Sequence, residues 1–190
     1  MHTVCSDGRL FPEELAAQAV EIGLQGFAIT DHHSVLGYCQ ARDWLDRRGG
    51  EGLPILWSGI EINAGLLGTE VHILGYGFDL DSSAIAPYTQ GKAVTGKKYA
   101  AEAVVKAIQR AGGLAILAHP FRYRVGGDRL IAAAAQLGFD GIEAYYAYDN
   151  PDPWRPSEKQ TRQAECLADR YGLFATCGTD THGTNLRRRL

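Results

Sequence analysis

At 190 residues the chain is long enough for one domain with a full core and too short for two comfortable ones. Hydrophobic residues make up 45% and charged residues 22%, with a formal net charge of −3, a balance that excludes a polyanion-binding composition. No apolar run approaches the ~18 residues of a membrane span, and no basic-then-apolar signal opens the chain.

The chain begins Met1-His2-Thr3-Val4-Cys5-Ser6-Asp7-Gly8, with no strand in front of it. Pro12, Glu13 and Glu14 read as a helix start, and Leu15, Ala19, Val20 and Ile22 supply its apolar face up to Gly23. Leu24 to Thr30 is predicted as a buried strand, Val35 to Arg48 as a helix stopped by Gly49-Gly50, and Leu53 to Ile62 as a strand carrying Glu61. Gly65 to Thr69 reads as a hairpin turn that returns the chain as Glu70 to Tyr76, which would make Glu61 and His72 neighbours. Asp79 to Gly96 is polar and turn-rich, the pattern of a mobile loop. A helix from Lys98 to Ala111, a strand Leu114 to Ala118, an Ala-rich helix Asp128 to Leu137 and a strand Gly141 to Tyr146 follow. After the proline-rich loop Asp149 to Pro156 come a capped helix, Ser157 to Tyr171, and a last strand, Leu173 to Cys177.

This alternation of strand and helix predicts a parallel sheet with crossover helices. Ligand-type side chains recur where apolar runs end: Asp31-His32-His33 after Ala28 to Thr30, His119 after Leu114 to Ala118, and Asp180-Thr181-His182 after the last strand. Glu61 and His72 lie in or beside such runs. Two ligand-type residues spaced by one on extended backbone point to the same side and can reach one metal cluster. In a closed parallel barrel the strand ends converge on one mouth.

Together, His2-Thr3-x-x-Ser6-Asp7-Gly8, Thr30-Asp31-His32, Gly59-Ile60-Glu61, His72, Ala118-His119-Pro120 and Gly178-Thr179-Asp180-x-His182 resemble the PHP family, named for polymerase and histidinol phosphatase domains. The resemblance covers nearly the whole chain and implies an α/β fold, a distorted (β/α)7-type barrel, as a single domain. It implies a metal-dependent phosphoesterase with two or three divalent ions, using a metal-bridging hydroxide on a small phosphorylated metabolite or nucleotide. His2, Glu61 and Asp180 would hold the first ion, Glu61, His72 and His119 the second, and Asp7, His32 and His182 the third. Mixed imidazole and carboxylate ligands suit Zn, Mn or Fe. Arg122 and Tyr123 are candidate phosphate contacts, with Lys97, Lys98 and His33 as further candidates, and Arg can hold a phosphate bidentately. Asp31 would orient a ligand imidazole. For Glu143, structural and substrate-facing roles stay open.

Met1 occupies the middle of the His-x-His pair with which the family begins, so the first strand and first histidine, and a final strand after His182, are absent here. Either the chain starts inside the motif or it is a variant with an incomplete first metal site. The former is expected, because loss of a central strand exposes the edges of its neighbours. Family members acting on nucleotides often carry a sizeable cap after the segment around His72, and the roughly twenty loop residues here imply a more open pocket. The alternative function is a catalytically impaired domain serving as a metal-binding or regulatory module.

The four cysteines show no Cys-x-x-Cys or secreted-domain spacing, so reduced thiols and a cytoplasmic location are expected. Arg187-Arg188-Arg189 reads as a solvated end, and neither long nucleic acid nor a membrane is expected as a partner.

Overall fold

The computed structural model describes residues 1–190 and contains seven strands and five helices. Strand β1 (Gly26–Ala28) pairs in parallel with β2 (Ile55–Trp57) as one small sheet. A second sheet holds β3 (Gly59–Leu66), β4 (Thr69–Tyr76), β5 (Leu114–Leu117), β6 (Gly141–Tyr145) and β7 (Phe174–Cys177), adjacent in that order.

The expected all-parallel arrangement is corrected. In the larger sheet β4 pairs antiparallel with both β3 and β5, and only the β5–β6 and β6–β7 pairings are parallel. The cause is the tight turn at Leu67-Gly68, with φ of 50° and 75°, which folds β3 back on itself as the predicted hairpin. Because β4 already runs backwards, the helix that follows it, α3 (Ala101–Arg110), leads into an antiparallel neighbour. Helices α4 (Gly127–Gln136) and α5 (Glu158–Tyr171) then make the crossovers between the parallel strands.

Two further expectations are revised. The strand predicted from Leu53 to Ile62 breaks at Ser58, whose hydroxyl donates to the Phe78 carbonyl at 2.6 Å while its own carbonyl accepts from Gly77 N–H at 2.9 Å. That junction moves the strand from β1 to β4 as its partner. The segment Asp79 to Gly96 is packed rather than loose: Ile85 and Tyr88 are buried in the main core, and Gly91 N–H bonds the His33 carbonyl at 2.8 Å.

Alternation on the β3–β4 hairpin separates two environments. Ile60, Ile62, Val71 and Ile73 face outward into the main core, against Val104, Val105 and Ile108 of α3. Glu61, Asn63, His72 and Leu74 share the other face, since Glu61 lies opposite Leu74 and Asn63 opposite His72. The small sheet has its own core, where Leu15 and Ala19 of α1 (Pro12–Ile22) and Ala41 and Leu45 of α2 (Leu36–Arg48) cover Phe27 and Ile29. Pro12, Glu13 and Glu14 open α1 as predicted, with Glu14 accepting from Phe11 N–H at 3.0 Å, and Gly23 closes it at φ 77°.

The sheets meet at the end of β1. His32 bridges in parallel to Glu61, and Glu61 N–H donates to the Asp31 carbonyl at 3.2 Å. On the far side, Met1 and His2 lie between Thr30 and Thr181, with Thr30 N–H donating to Met1 O and His2 N–H to Thr181 O, both at 2.9 Å. Strand ladders form two sheets, with no strand between β1 and β7.

Candidate metal centre

Separate segments each contribute a different part of one cluster. The N-terminal arm brings His2 and Asp7, the end of β1 brings His32, the hairpin brings Glu61 and His72, β5 brings His119, and the turn after β7 brings Asp180 and His182. All eight sequence-predicted ligands come together. Glu61 and His72 lie inside β3 and β4, on their shared inner face.

Glu61 is the hub. Its Oε2 lies 3.0 Å from His2 Nε2, and its Oε1 lies 2.6 Å from His72 Nδ1 and 3.4 Å from His119 Nε2. His2 Nε2 is also 3.2 Å from Asp180 Oδ1. A second set collects around the exposed Asp7, with His2 Nδ1 at 3.4 Å, His182 Nε2 at 3.4 Å and His32 Nε2 at 3.8 Å. Three groups bring one ligand atom from each member within 4.8 Å of the others: His2, Glu61 and Asp180; His2, Asp7, His32 and His182; and His32, Glu61 and His72. The first matches the division drawn from sequence and the second contains the predicted third set, while the last has His32 where His119 was expected.

The donor atoms fit a cation better than they fit one another. Despite these short distances, both ring nitrogens of buried His2 and of buried His119 lack an aligned hydrogen-bond partner. Buried polar atoms left this way are rare unless a ligand completes them. His182 Nδ1–H donates to the Asp180 carbonyl at 2.8 Å, which leaves Nε2 bare toward Asp7, the tautomer a metal ligand needs.

The electrostatics are those of a cation cage. Burial disfavours charge on His2, yet Asp180 and Glu61 outweigh it and its pKa is pushed up to about 9. Burial alone would raise Glu61, but His119, His2 and His72 hold it well below the ordinary carboxylate range, and His2 does the same for Asp180. His32 and His119 are lowered by burial and stay neutral. Burial and the Asp180 charge push Glu143 up to about 8.

Arg122 is at the site: its guanidinium donates to Asp180 Oδ2 at 3.1 Å and to the Tyr146 hydroxyl at 3.3 Å, and 40% of its side chain stays exposed. His33, buried at φ 53°, donates from Nε2 to Asn63 Oδ1 at 3.1 Å, and Asn63 in turn donates to Glu70 Oε1 at 2.9 Å. Two sequence expectations, for Tyr123 and Asp31, are corrected. The Tyr123 hydroxyl is taken up by the backbone, accepting from His72 N–H at 2.8 Å, and is not open to phosphate. Lys97 and Lys98 sit on the exposed turn Gly96–Tyr99. Asp31 bonds no imidazole; its carboxylate accepts from Thr3 N–H, Thr3 Oγ1 and Ser6 Oγ, each at 2.7 Å, and so ties down the arm that carries His2 and Asp7. Tyr146, which sequence motifs do not mark, is fully buried and donates to Asp180 Oδ2 at 2.7 Å.

No family model matches the chain. The 5'-3' exoribonuclease Rnm of Escherichia coli is 26% identical over 95% of this chain and 83% of that protein. The 3',5'-nucleoside bisphosphate phosphatase of Chromobacterium violaceum is 25% identical over 95% and 85%. Of solved structures, an amidohydrolase from Chromobacterium violaceum, with bound sulfate and no metal, superposes with a TM-score of 0.78 at 23% identity, covering 100% of this chain and 88% of that one. A two-domain protein from Bacteroides vulgatus containing a predicted PHP-like metal-dependent phosphoesterase superposes at 0.65 and 16% identity, over 97% of this chain and 51% of that one. The chain has a PHP fold.

The PHP resemblance drawn from its motifs is thereby borne out. The alignments to both relatives run over 253 positions, whereas 95% of 190 residues is about 180, so about seventy positions of the aligned span have no counterpart in this chain. No helix is long and apolar enough to cross a membrane.

Proposed function

We propose that the protein is a metal-dependent phosphoesterase that hydrolyses a small phosphorylated metabolite or nucleotide at a site of two or three divalent ions. The observation that carries this reading is the set of orphaned imidazole nitrogens of His2 and His119 facing the low-pKa carboxylates of Glu61 and Asp180. His2, Glu61 and Asp180 would hold one ion, Asp7, His32 and His182 another, and His72 with His119 would complete a third around Glu61. Imidazole with carboxylate favours Zn, Mn or Fe. When bound, such ions supply Lewis acidity toward phosphoryl oxygens and acidify water at neutral pH.

The chain's own residues do the positioning. Arg122, anchored through one nitrogen to Asp180 and otherwise exposed, presents its remaining N–H groups to a phosphate at the mouth. His33 stands beside His32, with Nε2 held by Asn63. A cytoplasmic location goes with four unpaired cysteines.

A metal-binding or regulatory module without turnover is the second reading, favoured by Asp7, which is 55% exposed and so a weakly enclosed ligand. The two separate in one experiment: metal content by elemental analysis after loading with Mn or Zn, together with hydrolysis of a chromogenic phosphate monoester. Two or more ions with turnover supports the enzyme. Two ions without turnover supports the module, and a protein free of metal at saturating Mn or Zn rejects both.

A further inference from the structure

Unlike buried Glu61 and Asp180, buried Glu143 pairs with no imidazole nitrogen. It lies on β6, with only 3% of its surface exposed, between the strand ends that carry His119 and Asp180. Its Oε2 accepts from His119 N–H at 2.9 Å. Its Oε1 faces the turn after β7 so closely that a Cβ on Gly178 would come within 2.0 Å of it. A small cavity of about 20 Å³ beside it is lined by Glu61, His119 and Asp180 as well as Glu143.

Both flanking residues have unfavourable backbones. His119 has φ 28° and Asp180 φ 52°, in the left-handed region that side chains other than glycine seldom adopt. Such conformations persist only where the surroundings over-determine them. A register shift between Glu143 and Tyr145, opposite Thr176 and Cys177, lets Glu143 and Tyr146 both reach the site although strand alternation would separate them.

We propose that Glu143 is a positioning residue that accepts from the end of β5 and packs against the turn after β7, holding His119 in its left-handed backbone and fixing the spacing of His119 from Asp180. The inference rests on the reading of those two residues as metal ligands. Glu143 acts through its oxygen as a hydrogen-bond acceptor, so an amide oxygen in the same place can replace it. A metal ligand or proton carrier at this position could not be replaced in that way.

The test compares Glu143→Gln and Glu143→Ala with the unaltered protein. Amide exchange at His119 in metal-free protein reads this positioning directly, and Zn affinity and the kcat and KM of phosphate-ester hydrolysis read its consequence. Glu143→Gln is expected to stay within about threefold on every measure. Glu143→Ala is expected to speed His119 exchange at least tenfold, weaken Zn about tenfold or more and lower kcat with KM within about threefold. Unchanged His119 exchange in Glu143→Ala overturns the proposal, as does a Gln variant as impaired as the Ala variant. If the unaltered protein neither binds Zn nor hydrolyses the ester, the phosphoesterase reading fails by itself, and His119 exchange alone decides the positioning role. Should Glu143→Ala not fold, Gly178→Ala, which drives a methyl into Oε1, must speed His119 exchange for the proposal to stand.

Discussion

The Tyr146 hydroxyl donates to Asp180 Oδ2 at 2.7 Å, and the same oxygen takes the Arg122 guanidinium at 3.1 Å, while Oδ1 stands 3.2 Å from His2. One carboxylate oxygen is thus held by two hydrogen-bond donors and the other faces the His2 imidazole. Two protein donors on Oδ2 orient Asp180 before any ion arrives.

Tyr146→Phe removes one of those donors and little volume. A hydrogen bond to a charged group contributes about 1.5–3 kcal/mol, so the variant should unfold at lower denaturant and bind Zn more weakly. Denaturant melts and a metal titration check this. Wild-type values in both would leave Tyr146 a packing residue only.

Arg122→Ala should raise KM for a phosphate monoester by about tenfold or more, corresponding to loss of one charged contact of about 1.5–3 kcal/mol. Metal content should change little, because Tyr146 still holds Asp180. Arg122→Lys should restore only part of the affinity, since an ammonium cannot make the planar two-point contact. Steady-state kinetics on the metal-loaded protein decide it, and an unchanged KM would make Arg122 a structural partner of Asp180.

The metal-free protein should lose stability as pH rises from 6.5 to 9. His2, raised from 6.5 to about 9, contributes stability fully below pH 6.5 and loses it as pH climbs through 9. Glu143, raised from 4.5 to about 8, is penalised on ionising and works in the same direction. Glu61 and Asp180, held low, lose their contribution only in acid. The combined fall should be on the order of a few kcal/mol, read by urea unfolding of chelator-treated protein at pH 6, 7.5 and 9. His2→Gln should flatten the curve. Stability that is level or rising across that window contradicts the His2 cage.

Asp31→Ala should be the most destabilising change outside the ligand set, on the order of 2–4 kcal/mol, because it strips the buried Thr3 N–H and Thr3 hydroxyl of their acceptor along with Ser6. Gly37 packs so close that a Cβ there would lie 2.1 Å from Asp31 Oδ2, which leaves the carboxylate no alternative position. Denaturant unfolding gives the magnitude, and Asp31→Asn should fall between the two. A loss under ~0.5 kcal/mol would mean that the N-terminal arm is held by its backbone pairs to Thr30 and Thr181 instead.

The order of helices and strands was legible because each carries its own local signal: Pro12 with two acids opens α1, Gly23 and Gly172 close helices at positive φ, and apolar runs mark the strands. Ligand types were legible too, since His and carboxylate residues collected where those runs ended. By itself the sequence therefore determined which eight side chains form the cluster and that a hairpin would bring Glu61 to His72. What pairs with what could be decided only by tertiary structure. The antiparallel β4, the break at Ser58 and the register shift at Glu143 depend on hydrogen bonds between distant segments, which leave no local pattern. The roles of Asp31, Tyr123, Glu143 and Tyr146 depend on the direction of a single polar atom within about 3 Å of its partner. A residue's type shows that it can make such a bond, and only the packed fold selects the partner.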